Sequence, residues 1–128
     1  MIELRHVTKT YETPAGPFHA LREIDMCIAA GTMTAITGKS GSGKSTLLNL
    51  IGGIDRPSSG GVTVAGMSIE SSTERALAAW RGATVGVVFQ FFQLLPTLTI
   101  VENVMLPMDF LGTRPSRTRH PLARCRWQ

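Results

Sequence analysis

Residues 38–46 read GKSGSGKST, and this stretch constrains the chain more than any other. Gly38, Gly43, Lys44 and Ser45 fit the pattern G-x-x-x-x-G-K-[ST]. Lacking a Cβ, the glycines let the backbone turn tightly and approach a ligand closely. Successive N–H groups of such a loop point inward and form an anion nest. A helix beginning near Lys44 would add the positive end of its dipole. The pattern therefore predicts a phosphate cradle, with Lys44 on the β- and γ-phosphates and the Ser45 hydroxyl on Mg²⁺.

Such a loop needs a buried strand before it and a helix after it. Met33-Thr34-Ala35-Ile36-Thr37 is a short, mostly apolar run suited to the strand. The run 46–51, TLLNLI, suits the helix, and Gly52-Gly53 stops it. A flexible Gly/Ser linker would carry neither flank.

Composition sets the bounds. The chain has 128 residues, 43% hydrophobic and 17% charged, enough to bury a core in one small domain. No apolar run approaches the ~18 residues of a membrane span, and Glu3 and Arg5 exclude a secretory signal, so a cytoplasmic location is expected. Cys27 and Cys125 are far apart, outside any C-x-x-C, and are read as reduced. His6, His19 and His120 lack ligand spacing, so the only metal expected is nucleotide-bound Mg²⁺. The formal charge of +4 comes from the end of the chain. Arg114, Arg117, Arg119, Arg124 and Arg126 stand in an acid-free stretch, and eight basic against nine acidic side chains leave residues 1–112 near −1. No nucleic-acid surface is therefore expected on the folded part.

In chain order, residues 2–9 alternate as a strand, with Tyr11 just beyond, and residues 13–17 read as a loop. Residues 20–29 alternate again. After the loop helix, residues 55–61 form a turn cluster, and 62–69 read as a hairpin or strand-turn. Ser71 and Glu74 match a capping box opening a helix through Trp80 that Gly82 ends. Residues 84–89, TVGVVF, suit a strand buried on both faces of a parallel sheet, with Gln90 at the end facing a ligand crevice. Thr99 and Glu102 make a second capping box before a helix at 100–105, which Pro107 ends or kinks. Residues 113–128 show no periodicity.

Four further features narrow the family. They are Tyr11, the loop before the second strand, the turn IDRPSSG, and VGVVFQFFQLLPTLTIVENV. Together they resemble the first half of an ABC-transporter ATP-binding subunit, in the branch of macrolide exporters, lipoprotein-release ATPases and the cell-division ABC ATPase. The resemblance covers about residues 1–111. It implies an α/β fold, a P-loop NTPase (RecA-like) core with an antiparallel β subdomain; beyond it, residues 112–128 read as an unstructured arginine-rich tail.

Residue by residue, the resemblance implies that Gly38, Lys39, Ser40, Gly41, Ser42, Gly43, Lys44, Ser45 and Thr46 wrap the phosphates of ATP. Ser40 to Gly43 would act mainly through backbone N–H groups. Tyr11 would stack on adenine, the alternative being a strand-end tyrosine on the core surface. Gln90 resembles the Q-loop glutamine that touches Mg²⁺ and the attacking water, the alternative being a solvated strand-end residue. The segment near 91–107 would dock on a transmembrane permease subunit, although a core role for some of its apolar residues stays open. Phe91 replaces the usual second glutamine.

Family members also carry a signature motif resembling LSGGQ, an acidic strand ending in Asp-Glu and a switch histidine. None occurs here. The chain therefore reads as truncated before the second half of the domain, binding ATP without efficient hydrolysis. The full subunit would pair with a second ATP-binding subunit at the inner face of the membrane and drive export or lipoprotein extraction. The alternatives are a non-catalytic nucleotide-binding fragment and a nucleic-acid binder acting through the tail. The second is disfavoured because Trp127 is the tail's lone aromatic.

Overall fold

Alternating side chains over the first 28 residues build a long hairpin. In the computed structural model, which describes residues 1–90, 94–110 and 112, β1 runs Ile2–Thr13 and β2 runs Gly16–Ile28. Both strands extend beyond the alternating runs. Cross-strand pairing continues to Thr13 opposite Gly16, so the expected loop shrinks to a turn at Pro14-Ala15, and Tyr11 lies inside β1. The Thr13 hydroxyl donates to Gly16 O at 2.7 Å and closes the turn.

β3, Ser59–Val64, pairs antiparallel with β1, and the two-residue β4, Met67–Ser68, pairs with β3. The sheet order is β2-β1-β3-β4. The hairpin expected at 62–69 thus forms, with Ala65-Gly66 at the turn. Both have positive φ, 49° and 83°, as a tight two-residue hairpin turn demands. Glu70 secures this edge. Its carboxylate accepts from Val62 N at 3.0 Å and from the Ser68 hydroxyl at 2.7 Å. Burial resists the charge, but hydrogen bonds from its own backbone N–H, Ser68 and Val62 hold the Glu70 carboxyl below its ordinary range.

Two helices follow along the chain. α1 spans Lys44–Ile51 and α2 spans Glu74–Thr84. Leu4, Val7, Leu21, Leu47, Leu50, Val62, Val64, Ile69, Leu77 and Trp80 are buried. Each such aliphatic side chain contributes about 1.5–3 kcal/mol relative to exposure. The capping box expected at Ser71 is displaced by two residues. Thr73 is the cap: its Oγ1 accepts from Ala76 N at 3.3 Å and its carbonyl from Leu77 N at 2.9 Å. The Ser71 hydroxyl instead donates to Ser68 Oγ at 2.8 Å. The helix also passes through Gly82, because one glycine costs only about 1 kcal/mol in a helix.

The chain divides into two units, Met1–Arg81 and Gly82–Gln128. In the second, α3 spans Ile100–Phe110. Its capping box is realised: Thr99 N donates to Glu102 Oε2 at 2.8 Å and Glu102 N to Thr99 Oγ1 at 3.3 Å. Pro107 does not end the helix, which continues for three residues. Ahead of that proline, Asn103 Nδ2 donates to the carbonyls of Leu95, Leu98 and Thr99 and ties the helix to its leading loop.

Two expected strands are also corrected. Neither 33–37 nor 84–89 is a strand: Thr84 closes α2, and Met33 and Val88 are fully exposed. A short apolar run becomes a buried strand only when neighbouring strands satisfy its backbone and cover its faces. Among the described residues neither run has such neighbours. Phe91 and the tail at 113–128 lie outside the described residues.

Candidate phosphate-binding site

The loop at 38–46 owes its shape to glycine. Gly38, Gly41 and Gly43 have φ of 157°, 78° and 87°. Gly43 is the left-handed residue from which α1 springs, and Leu47 N donates to Gly43 O at 2.8 Å as the first helical bond. The N–H groups of the first turn of α1 are those a helix leaves without an intrahelical partner. Gly43 also seats the loop on β2. A Cβ there would stand 2.5 Å from Ala20 O and 2.8 Å from Leu21 Cδ2. A Cβ on Gly38 would likewise meet Ser42 Oγ at 2.8 Å. The cradle exists because these Cβ atoms are missing.

Lys44 folds over the loop. Its Nζ donates to Gly38 O at 2.9 Å and Lys39 O at 2.7 Å, and lies 3.4 Å from Ser42 Oγ. The loop itself therefore holds the ammonium in place. The adjoining cleft, of about 400 Å³, is lined by Ser40, Gly41, Gly43, Lys44, Ser45 and Thr46 with Phe18 and Ala20 of β2. These groups fit a polyphosphate and its Mg²⁺: unpaired N–H groups and a cation for the anion, and the Ser45 hydroxyl for the metal.

Behind the cradle, the C-terminal end of α1 is fastened to β1. Gly52 N donates to Leu48 O, and Ile54 N and Asp55 N both donate to Asn49 O. This turn brings Asp55 back against the hairpin. Lys9 Nζ meets Asp55 Oδ1 at 2.6 Å, the Tyr11 hydroxyl donates to Asp55 Oδ2 at 2.8 Å, and Arg56 N donates to Oδ1 at 2.7 Å. Lys9 Nζ also lies 4.8 Å from the Tyr11 ring centroid, a cation–π contact. Partial burial and the bond to Asp55 raise the Tyr11 pKa. For Asp55, burial opposes ionisation, but the bonds from Lys9, Tyr11 and Arg56 prevail and hold its carboxyl below the ordinary range.

The signs follow. Asp55's contribution is present above its unfolded pKa and fades as pH falls through its lowered folded value. Tyr11's is present below about 10 and fades as pH rises through its raised value. Asp55→Asn is expected to cost about 1–2 kcal/mol at neutral pH, the low end for charged hydrogen bonds because the side chain stays 29% exposed. Urea melts of wild type and variant should converge below the carboxylate range. A gap that persists in acid would show that the charge is not responsible.

The structure thus brings together the whole loop from Gly38 to Thr46 and links Tyr11 to its rear through Asp55. Gln90 belongs to the second unit and is exposed at a bend. Sequence reading missed Phe18, Ala20 and Asp55. The signal for Phe18 lay in the hairpin register, which sets it opposite Tyr11.

A glycine-shaped loop feeding a helix, with its lysine over the cradle, beside an antiparallel sheet, defines a P-loop NTPase of α/β class. The sequence profile of the ABC transporter family matches residues 21–127, and the chain belongs to that family. It is 51% identical over 109 residues, 84% of its own length and 45% of the other's, to the lipoprotein-releasing system ATP-binding protein LolD of Anaeromyxobacter dehalogenans. It is 46% identical over 112 residues, 88% of its length and 49% of the other's, to the ABC transporter ATP-binding protein YknY of Bacillus subtilis. The ATP-binding cassette MJ0796, solved as a post-hydrolysis dimer bound to ADP and Pi, superposes with a TM-score of 0.81 at 41% identity. That match covers 86% of this chain and 47% of the cassette. The chain spans about half the length of the relatives it matches.

Proposed function

We propose that residues 38–46 bind the phosphates of Mg-ATP for an ABC transporter. The carrying observation is the cradle itself: three glycines with positive φ, and Lys44 Nζ held over the loop at 2.7–2.9 Å from two of its carbonyls. On this reading Lys44 exchanges those carbonyls for β- and γ-phosphate oxygens, and Ser45 supplies a hydroxyl to Mg²⁺. Tyr11 stacks on the adenine ring. Gln90 takes the water- and Mg²⁺-sensing role that its sequence context suggests.

In the assembled transporter the cassette pairs with a second ATP-binding subunit and works at the inner face of the membrane. Residues near 91–107 meet the transmembrane permease, and ATP binding and hydrolysis drive export or lipoprotein extraction. The relatives named LolD and the dimeric MJ0796 support this reading. The exposed Leu94, Leu95, Ile100, Val101 and Val104 suit an apolar partner surface. Among the described residues no helix is long and apolar enough to cross a membrane. Hydrolysis needs a general base and a signature motif that these 128 residues do not contain, so the chain assayed alone binds ATP and turns it over slowly.

The test is Lys44→Ala with Mg-ATP binding followed by calorimetry. A charge-assisted contact contributes about 1.5–3 kcal/mol, so affinity should fall roughly tenfold to a hundredfold. Unchanged affinity would refute the assignment.

A further inference from the structure

β1 keeps two neighbours only as far as Thr8, its last pair with β3; from Thr10 to Thr13 it is paired with β2 alone. The register also shifts between Lys9 and Thr10. Tyr11 therefore stands on a two-stranded ribbon, and such ribbons are marginal by themselves. Its side chain is nonetheless held at two points. The hydroxyl donates to Asp55 Oδ2 at 2.8 Å, and Lys9 Nζ occupies one face of the ring, so a base would stack on the other.

Asp55 does not owe its own place to Tyr11. Its N–H and that of Ile54 donate to Asn49 O at the end of α1. The next residue, Arg56, donates from its guanidinium to Glu70 O at 3.1 Å and Ser72 O at 2.6 Å. Asp55 Oδ1 accepts from Arg56 N and from Lys9 Nζ, which also donates to Arg56 O at 2.8 Å. The anchor is thus built from α1 and the turn after it, and the ring is what it holds. The first turn of the same helix carries Lys44 and Ser45. One helix bears the phosphate-binding groups at one end and the tether of the ring at the other.

We propose that Asp55 is a positioning residue of the nucleotide site, fixing the Tyr11 ring of β1 relative to the phosphate loop on α1 before the base arrives. This rests on the reading of the loop as an ATP site and of Tyr11 as the residue that meets adenine. Immobilising a free side chain on binding weakens affinity by about threefold to tenfold. The tether removes that loss, and it acts on the base alone because the phosphates bind elsewhere.

The experiment measures Mg-ATP and Mg-tripolyphosphate, which lacks base and sugar, by calorimetry on the 128-residue chain. Tyr11→Phe keeps the ring and loses the tether, so ATP affinity should fall about threefold to tenfold while tripolyphosphate affinity holds. Asp55→Ala should reproduce that base-selective loss from the other end of the bond. The double variant should lose no more than the larger single one, because both remove the same tether. A merely structural Asp55 would weaken both ligands alike, and that result would overturn the proposal. So would unchanged ATP affinity in Tyr11→Phe, or single losses that multiply in the double variant. Tyr11→Ala identifies the other failure: if it binds ATP as wild type does, Tyr11 does not meet adenine and the underlying reading falls with the proposal. Wild type that binds neither ligand would refute the loop assignment itself.

Discussion

Gly43→Ala is expected to destabilise the protein by roughly 2–5 kcal/mol and to remove measurable Mg-ATP binding. Two effects add. The residue holds φ at 87°, where an L side chain is strained, and the new methyl would lie 2.5 Å from Ala20 O and 2.8 Å from Leu21 Cδ2. Ala20 lies inside β2 at the register shift between the Lys9–Leu21 and Thr10–His19 pairs, so paired backbone on both sides limits how far its carbonyl can withdraw. The loop must therefore lift from β2, and the N–H groups of the first helical turn swing away with it. Gly41→Ala is the control. Its φ is 78°, but nothing lies within 4 Å of the added carbon, so only the conformational cost of about 1–2 kcal/mol applies. Chemical denaturation and nucleotide titration of both variants would separate the effects. If the two behave alike, strain alone governs the loop and the packing on β2 is immaterial.

Leu50→Ala should cost about 2–5 kcal/mol, whereas Leu48→Ala on the same helix should stay near neutral. Leu50 is 0% exposed and Leu48 is 56% exposed. Truncating Leu50 removes transfer energy and leaves a cavity beneath the helix that presents the cradle. Because α1 positions Lys44 at one end and Asp55 just past the other, Leu50→Ala should also weaken ATP binding indirectly. That loss should be recovered under conditions that restore folding, unlike the loss in Lys44→Ala. Equal stability of the two leucine variants in urea would refute this placement of α1.

The cradle was legible in the sequence because its chemistry is local. Gly38, Gly43, Lys44 and Ser45 act through backbone angles and one helix end, so their spacing alone specifies the loop. The hairpin at 62–69 and the Thr99–Glu102 cap were readable for the same reason: each is closed by residues a few positions apart. Helix and strand ends were less so. Thr73 rather than Ser71 caps α2, and both residues carry the hydroxyl that local rules seek.

Whether 33–37 and 84–89 become strands depends on partners elsewhere, and composition cannot supply these. The Lys9–Tyr11–Asp55 cluster joins residues 44 and 46 positions apart, and no pattern announces it. Nor could sequence show that Phe18 stands at the rim of the cleft, since that depends on register across the hairpin and on Gly43 seating the loop at Ala20. Sequence by itself determined the family and the glycine-shaped loop at 38–46, because the motif that carries both resides in short-range backbone chemistry. Tertiary structure alone decided what surrounds the loop, because that depends on which distant side chains the sheet and α1 bring against it.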